Sequence, residues 1–377
     1  NLDKLQTVTG LKNNTSIIDD DNFRKMLFEL NDRRKNCLKG REKSENHIDA
    51  DDAKIFIVDF RLMEKFPGLN GEEFAYNLLC FSDCKYIIGL NRYHMESTFD
   101  LTLMGNFDSY ADLNISYQDL DNQGLWNGKT TGYRPWYWSN VLNYLKNREK
   151  QIREVEKNFN SSICETLKIP EHVMKNIPNS AGNYLGIDRK NISKMTFKDF
   201  FLKSNILVPR DLKNDFSVKR KAKIVASRLS KWFEMTILPG QDILVDAPHL
   251  VLGFPSLLRG NKKNISTWNK TTKFGLAKDL GIHHQKIKNH IFSEHWLSRP
   301  AWFWHDISEM VEIDEVKEPW KRKDFGFVFA EDASSFYNKN ECKNFISSVE
   351  SSFRERYIKD FRKKSVKYKP IQLLFKR

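Results

Sequence analysis

What this chain has little of narrows it first. Its 377 residues include five cysteines, Cys37, Cys80, Cys84, Cys164 and Cys342, an odd number without the paired spacing of a disulfide framework or zinc site. Reduced thiols in a cytosol are the expectation, with Cys80 and Cys84, four apart, facing a core. No apolar run approaches the roughly 20 residues of a membrane span, and no signal-peptide pattern is visible. The chain has no phosphate-cradling glycine loop of the Walker or dinucleotide type and no nucleophile elbow, so ordinary NTPase, dehydrogenase and hydrolase chemistry lacks support. Internal repeats and low-complexity tracts are missing too.

What is there is charge and aromatic residues. The net charge is +13, from 62 Lys and Arg against 49 Asp and Glu. Acid is comparatively common before residue 125. Base gathers at Lys213 to Lys231, Arg259 to Lys288 and Arg354 to Arg377. That asymmetry favours a polyanionic partner for the later two thirds, with a merely solvated basic surface as the plain alternative. The length suggests two or three domains.

The first third alternates short apolar runs with helical patterns, the mark of a parallel α/β sheet. Strands are expected near Thr15–Ile18, Ile55–Asp59, Tyr86–Leu90 and Ala111–Ile115, with helices after the first three. Asp59 closes the run Ile55-Phe56-Ile57-Val58, which places a carboxylate at the C-terminal end of a buried strand, where chemistry collects in such sheets. Asp19-Asp20-Asp21 stands upstream before an apolar stripe of Phe23, Met26, Leu27 and Leu30.

In that order these features resemble a response-regulator receiver domain, over roughly residues 15–125. The resemblance implies a flavodoxin-like, doubly wound fold, Asp59 as phosphoacceptor, and Asp20 with Asp21 as an acidic pair holding Mg²⁺ beside it. Three departures follow from the residues. The stretch from Arg33 to Asp49, where a second strand belongs, is polar. Asn91 stands where the family has Ser or Thr, and Ser116 or Tyr117 where it has Lys. Without a cation and a hydroxyl around the acceptor, phosphotransfer and its readout fail. The domain is therefore expected to be a pseudo-receiver serving as a docking or dimerising module; in a different α/β fold, Asp59 would simply cap the next turn.

Boundaries are expected at 1–135 for this domain, 136–160 for a connecting helix with Ser139 as N-cap, and 161–377 for a basic, mostly helical, mixed region. There Thr196 caps a short helix, and a helix from about Ser217 to Met235 has two arcs. Ile224, Val225, Leu229, Trp232 and Phe233 form the apolar one, and Lys219, Arg220, Lys223 and Lys231 the basic one, suited to phosphates. Residues 272–291 resemble a helix-turn-helix, with Ala277 at the crossing and Gly281 in the turn; His284, Gln285, Lys286 and Lys288 would then face a major groove. A structural helix pair joined at Gly281 fits the same pattern.

Histidines at 283, 284, 290, 295 and 305, with Glu294 and Asp306, raise a metal site, against which stand the surrounding tryptophans and the lack of HExxH. Asp242 and Asp246 beside His249, and Glu331-Asp332, are further carboxylates at strand ends. The functional expectation is a cytosolic, bacterial-type regulatory protein whose basic region binds nucleic acid or a protein partner. A metal-dependent nuclease of a defence or mobile-element system and a non-enzymatic assembly scaffold are the rivals.

Overall fold

Three parallel strands, β1 (Ile55–Asp59), β2 (Tyr86–Asn91) and β3 (Leu113–Ser116), form the first sheet in the order β1-β2-β3. The two apolar runs thus pair as the alternation suggested, with Val58 opposite Gly89 and Leu90 opposite Ile115. The computed structural model describes residues 15–39, 46–91, 109–116, 123–126, 140–175, 189–204, 216–272, 282–310, 325–331, 335–345 and 356–359, with a few isolated positions besides. Helix α1 (Asp20–Leu38) and helix α2 (Gly71–Phe81) pack on this sheet through Phe23, Met26, Leu30, Phe74 and Leu78.

Thr15–Ile18, expected as the first strand, is irregular chain, and Ile17 is 71% exposed. Two apolar residues at a sheet edge bury little. Asp19 instead caps α1, accepting the Asn22 N–H at 2.8 Å, and such a cap contributes about 1 kcal/mol. The last strand begins two residues later than expected. Asp112 sits in the bend before it because its carboxylate accepts the Ile87 N–H at 2.8 Å.

Helix α3 (Val141–Lys157) is capped by Asn140, one residue after the expected Ser139, which lies outside the described residues. Thr196 and Asp199 form a capping box on α4 (Phe197–Lys203), and Ser217 caps α5 (Val218–Trp232), which ends in a wide π turn over Phe233–Ile237. β4 (Leu244–Asp246) runs into α6 (Ala247–Gly253) and pairs antiparallel with β5 (Ala301–Phe303). Strands β6 (Phe327–Ala330), β7 (Ser335–Asn338), β8 (Lys343–Phe345) and β9 (Arg356–Ile358) make a mixed sheet in the order β7-β6-β9-β8.

The principal core joins Phe23, Phe74 and Phe81 to Phe197, Phe201, Leu229, Trp232 and Trp296, so α5 is packed into the same apolar body as the first sheet. A second core gathers Val245, Leu250, Phe254, Trp268, Trp302 and Phe336. Among the described residues no helix is long and apolar enough to cross a membrane.

Packing in the second core is tight at the end of α6. A Cβ on Gly253 would come within 2.4 Å of the Trp304 ring, which itself stacks 4.6 Å from Phe254. Gly253→Ala is expected to destabilise by about 1–3 kcal/mol, the range for overpacking a rigid site. A urea midpoint unchanged from that of the parent protein would refute this.

Candidate functional site

Asp59 ends β1 and accepts the Arg61 N–H at 2.9 Å, closing a turn. Asn91 and Ser116, where a receiver carries its hydroxyl and lysine, end the neighbouring strands side by side in register. Asp20 and Asp21 are exposed on the first turn of α1, and Asp20 meets Lys65 Nζ at 2.6 Å. Among the described residues no three His, Cys, Asp or Glu side chains are grouped to hold a metal ion. The expected Mg²⁺ set of Asp20, Asp21 and Asp59 is therefore not assembled.

The basic arc of α5 is the larger correction. Lys219 is exposed and lies 3.6 Å from Asp83, and Arg220 is half-buried. Lys223 is buried, its ammonium donating to the carbonyls of Leu78 at 3.1 Å, Ser82 at 2.6 Å and Cys84 at 3.1 Å. It closes the C-terminus of α2, whose last carbonyls need donors and attract cations. Burial pushes the Lys223 amine down to about 8. Lys231 is buried likewise, donating to the carbonyls of Ser109 at 2.9 Å and Ala111 at 3.1 Å, and Arg228 reaches Ser109 O at 2.7 Å. Both amines are turned inward onto carbonyls, so neither lies on a surface that the phosphate backbone of a nucleic acid reaches. Cys80 and Cys84 are buried beside this cage, and burial raises their thiols to about 12 and about 11.

The spacing explains the arrangement. Lys223, Ser227 and Lys231 recur every four residues, so they lie in one row along α5. The row crosses the amino ends of the parallel strands, where Cys84 precedes β2 and Asp112 precedes β3. Ser227 Oγ donates to Asp112 Oδ1 at 2.7 Å, and Arg148 Nη1 of α3 stands 2.8 Å from the same oxygen as an ion pair, without the alignment of a hydrogen bond. Arg148 Nε donates to Gln151 Oε1 at 2.9 Å, and its guanidinium lies over the Tyr86 ring.

These groups line a cleft with Lys231, Glu234, His295 and Ser298. Its carboxylates continue into a second cluster. Glu234 accepts the Ser298 N–H and stands 3.4 Å from Arg299. Arg299 Nε donates to Asp246 Oδ2 at 3.0 Å, and Asp246 Oδ1 lies 2.6 Å from His249 Nδ1. Burial opposes ionisation of Asp246, yet His249 and Arg299 outweigh it and hold the carboxyl well below the usual carboxylate range.

Two of the other histidines face carboxylates. His295 Nε2 lies 2.8 Å from Glu154, which also accepts Trp296 Nε1 at 2.6 Å, while His290 stands 3.7 Å from Asp306. Glu331 is paired with Arg356, and Asp332 lies outside the described residues.

The first half of the expected helix-turn-helix, residues 273–281, lies outside the described residues. Its second helix is one turn, His284–Ile287, followed by a 3-10 turn over Lys288–His290. Four residues rise about 6 Å, too short to lie along a major groove. Ile282 and Ile287 anchor the segment in the second core, with Ile282 bridged to Leu258, while Gln285, Lys286 and Lys288 are exposed.

That bridge brings a second basic loop alongside. Gly260, at φ +97°, turns the chain between Arg259 and Lys262, and the His283 N–H donates to Leu257 O at 2.9 Å. Burial, then the nearby Arg259 and Lys286, lower the pKa of His283, and Lys262 acts in the same direction. Between residues 254 and 293 the sequence holds eight Lys and Arg, at 259, 262, 263, 270, 273, 278, 286 and 288, against one acid, Asp279. Among the described residues Arg259, Lys262, Lys263 and Lys288 have no carboxylate partner. Two sites thus stand apart: a buried polar cleft at the amino edge of the first sheet, and an exposed basic face around His283. Compared with protein-family models, curated proteins and solved structures, the chain matches none.

Proposed function

We propose that this chain is a non-enzymatic regulatory protein that binds the phosphate backbone of nucleic acid through the face around His283. The observation that carries the reading is the juxtaposition of Arg259, Lys262, Lys286 and Lys288 on two bridged segments, with no described carboxylate neutralising Arg259, Lys262 or Lys288. Exposed cations in such an array attract polyanions, and the asparagines and Gln285 between them add neutral donors. The N-terminal unit is read as receiver-like without phosphotransfer. Support for this is Asp59 at the end of the first of three parallel strands, beside Asn91 and Ser116 in place of a hydroxyl and a lysine.

For a 20-base-pair duplex, log affinity is expected to fall linearly with log salt. The triple variant Arg259→Glu, Lys262→Glu, Lys286→Glu should flatten that slope by roughly 0.9 for each phosphate contact removed. Lys219→Glu, on α5, should leave it unchanged. Fluorescence anisotropy at several salt concentrations measures both, and a triple variant that binds like the parent protein would refute the assignment.

A further inference from the structure

We infer that His283 is itself a phosphate-binding residue of the basic face, and that it makes the contact as an imidazolium, so that nucleic acid bound there takes up one proton. This rests on the reading of that face given above and adds a residue that a count of fixed charges leaves out. Backbone bonds fix where the residue sits. Its N–H donates to Leu257 O at 2.9 Å, its carbonyl accepts the Lys286 N–H at 3.0 Å, and Ile282 before it is bridged to Leu258. The half-buried side chain thus lies within the field of the Arg259 and Lys262 loop and of the Lys286 turn.

An imidazole in that position is a cation that can be switched on. Among the described residues the charged groups acting on the ring are Arg259, Lys286 and Lys262, all of one sign. Burial and then these cations hold it below the ordinary histidine value, while a hydrogen bond to the Leu258 backbone works the other way. The free face therefore carries His283 neutral at pH 7. A neutral imidazole has one N–H and one lone pair. With the N–H given to the Leu258 carbonyl, the other nitrogen can only accept, and it repels a phosphate oxygen until a proton turns it into a donor. A phosphate seated among the three cations also reverses the local field and favours the charged ring. Because the complex holds the proton more tightly than the free chain, affinity rises as pH falls, by at most tenfold per pH unit for one proton.

The test is the affinity of the full chain for the same duplex, by fluorescence anisotropy at constant ionic strength, from about pH 8 to about pH 5, which brackets histidine. One opposite charge at hydrogen-bond distance raises a pKa by about one unit or more, so affinity should rise about tenfold or more across that range. His283→Gln should lose most of the rise. His283→Arg, with a permanent charge, should bind at the alkaline end as tightly as the parent chain binds at the acid end. A His283→Gln variant that keeps the whole rise would overturn the inference. The parent chain gives a check that needs no variant to fold: the His283 ring, titrated by NMR, should gain protons on addition of duplex near pH 7, and a ring that stays neutral in the complex would overturn it too. Duplex binding that is present but flat in pH removes His283 and leaves the lysine and arginine contacts standing, whereas no binding at any pH removes both.

Discussion

Lys223→Ala is expected to lose about 3–5 kcal/mol of stability, whereas Lys219→Ala, one turn earlier on the same helix, stays within about 0.5 kcal/mol. The two lysines read alike in the sequence and differ in surroundings. Lys219 is exposed and meets Asp83 at 3.6 Å, an ion pair screened by water. Lys223 is enclosed, and its ammonium is shared by three carbonyls at the end of α2. Truncation leaves a cavity and removes the donor to the carbonyls of Ser82 and Cys84. Lys223→Met, which fills the volume without donating, should fall between the two. Urea denaturation of the three variants measures the order, and a Lys223→Ala midpoint matching that of Lys219→Ala would mean the amine is not held in this cage.

The contrast shows where the sequence stops being legible. Local signals survived: the apolar runs at Ile55–Asp59 and Tyr86–Leu90 are strands, Ser217 and Thr196 cap their helices, and Asp59 stands at a strand end. These depend on neighbours a few residues away. A 100° projection sorts α5 into apolar and basic arcs, but it cannot tell water from a layer of carbonyls on the basic side. From Ala222 to Leu229 α5 is buried all round. A hint was available in the Lys223, Ser227, Lys231 row, since a hydroxyl in register between two lysines suits a polar interface better than a solvated face. Nothing local marked Asp112, Arg148 or Glu234 as partners, because the first two meet across 36 residues and Glu234 joins Arg299 across 65.

The same limit governs the functional reading. A helix-turn-helix pattern asks for a small residue, a glycine and four apolar anchors, all of which this chain supplies near 272–291. Helix length is set by what the segment packs on, and Ile282, bridged to Leu258, leaves one α turn before Lys288. The basic residues kept their exposure while the groove-reading geometry did not form. Open α/β sheets gather ligands at their carboxyl ends, here marked by Asp59, Asn91 and Ser116. The buried charge of this molecule lies at the opposite edge, where α3 and α5 close over Asp112.

Acid is expected to destabilise the protein mainly through Asp246. Its folded-state pKa lies below an unfolded value near ~3.9, so the unfolded chain binds more protons as pH falls. The stabilisation from this carboxylate is whole above about pH 5 and drains away as pH drops through the unfolded value towards the folded one. Asp51, Glu154 and Asp199 are lowered in the same direction, each against its own burial, by Arg33, by His295 and by Lys203, and add to the slope. Asp246 is the most enclosed of them, holding His249 at 2.6 Å, Arg299 at 3.0 Å and the Gln241 amide at 3.0 Å. Asp246→Ala removes the carboxylate that His249 and Arg299 share, and at pH 7 should cost about 3–5 kcal/mol, the range for breaking a buried charged cluster. Asp246→Asn keeps the shape and should show a shallower loss of stability between about pH 5 and pH 3 than the parent chain. Urea midpoints across that range test the idea. A variant whose acid slope equals that of the parent would place the proton uptake elsewhere, and Asp246, whose carboxylate also accepts the His249 N–H in the first turn of α6, would then be a helix cap and no more.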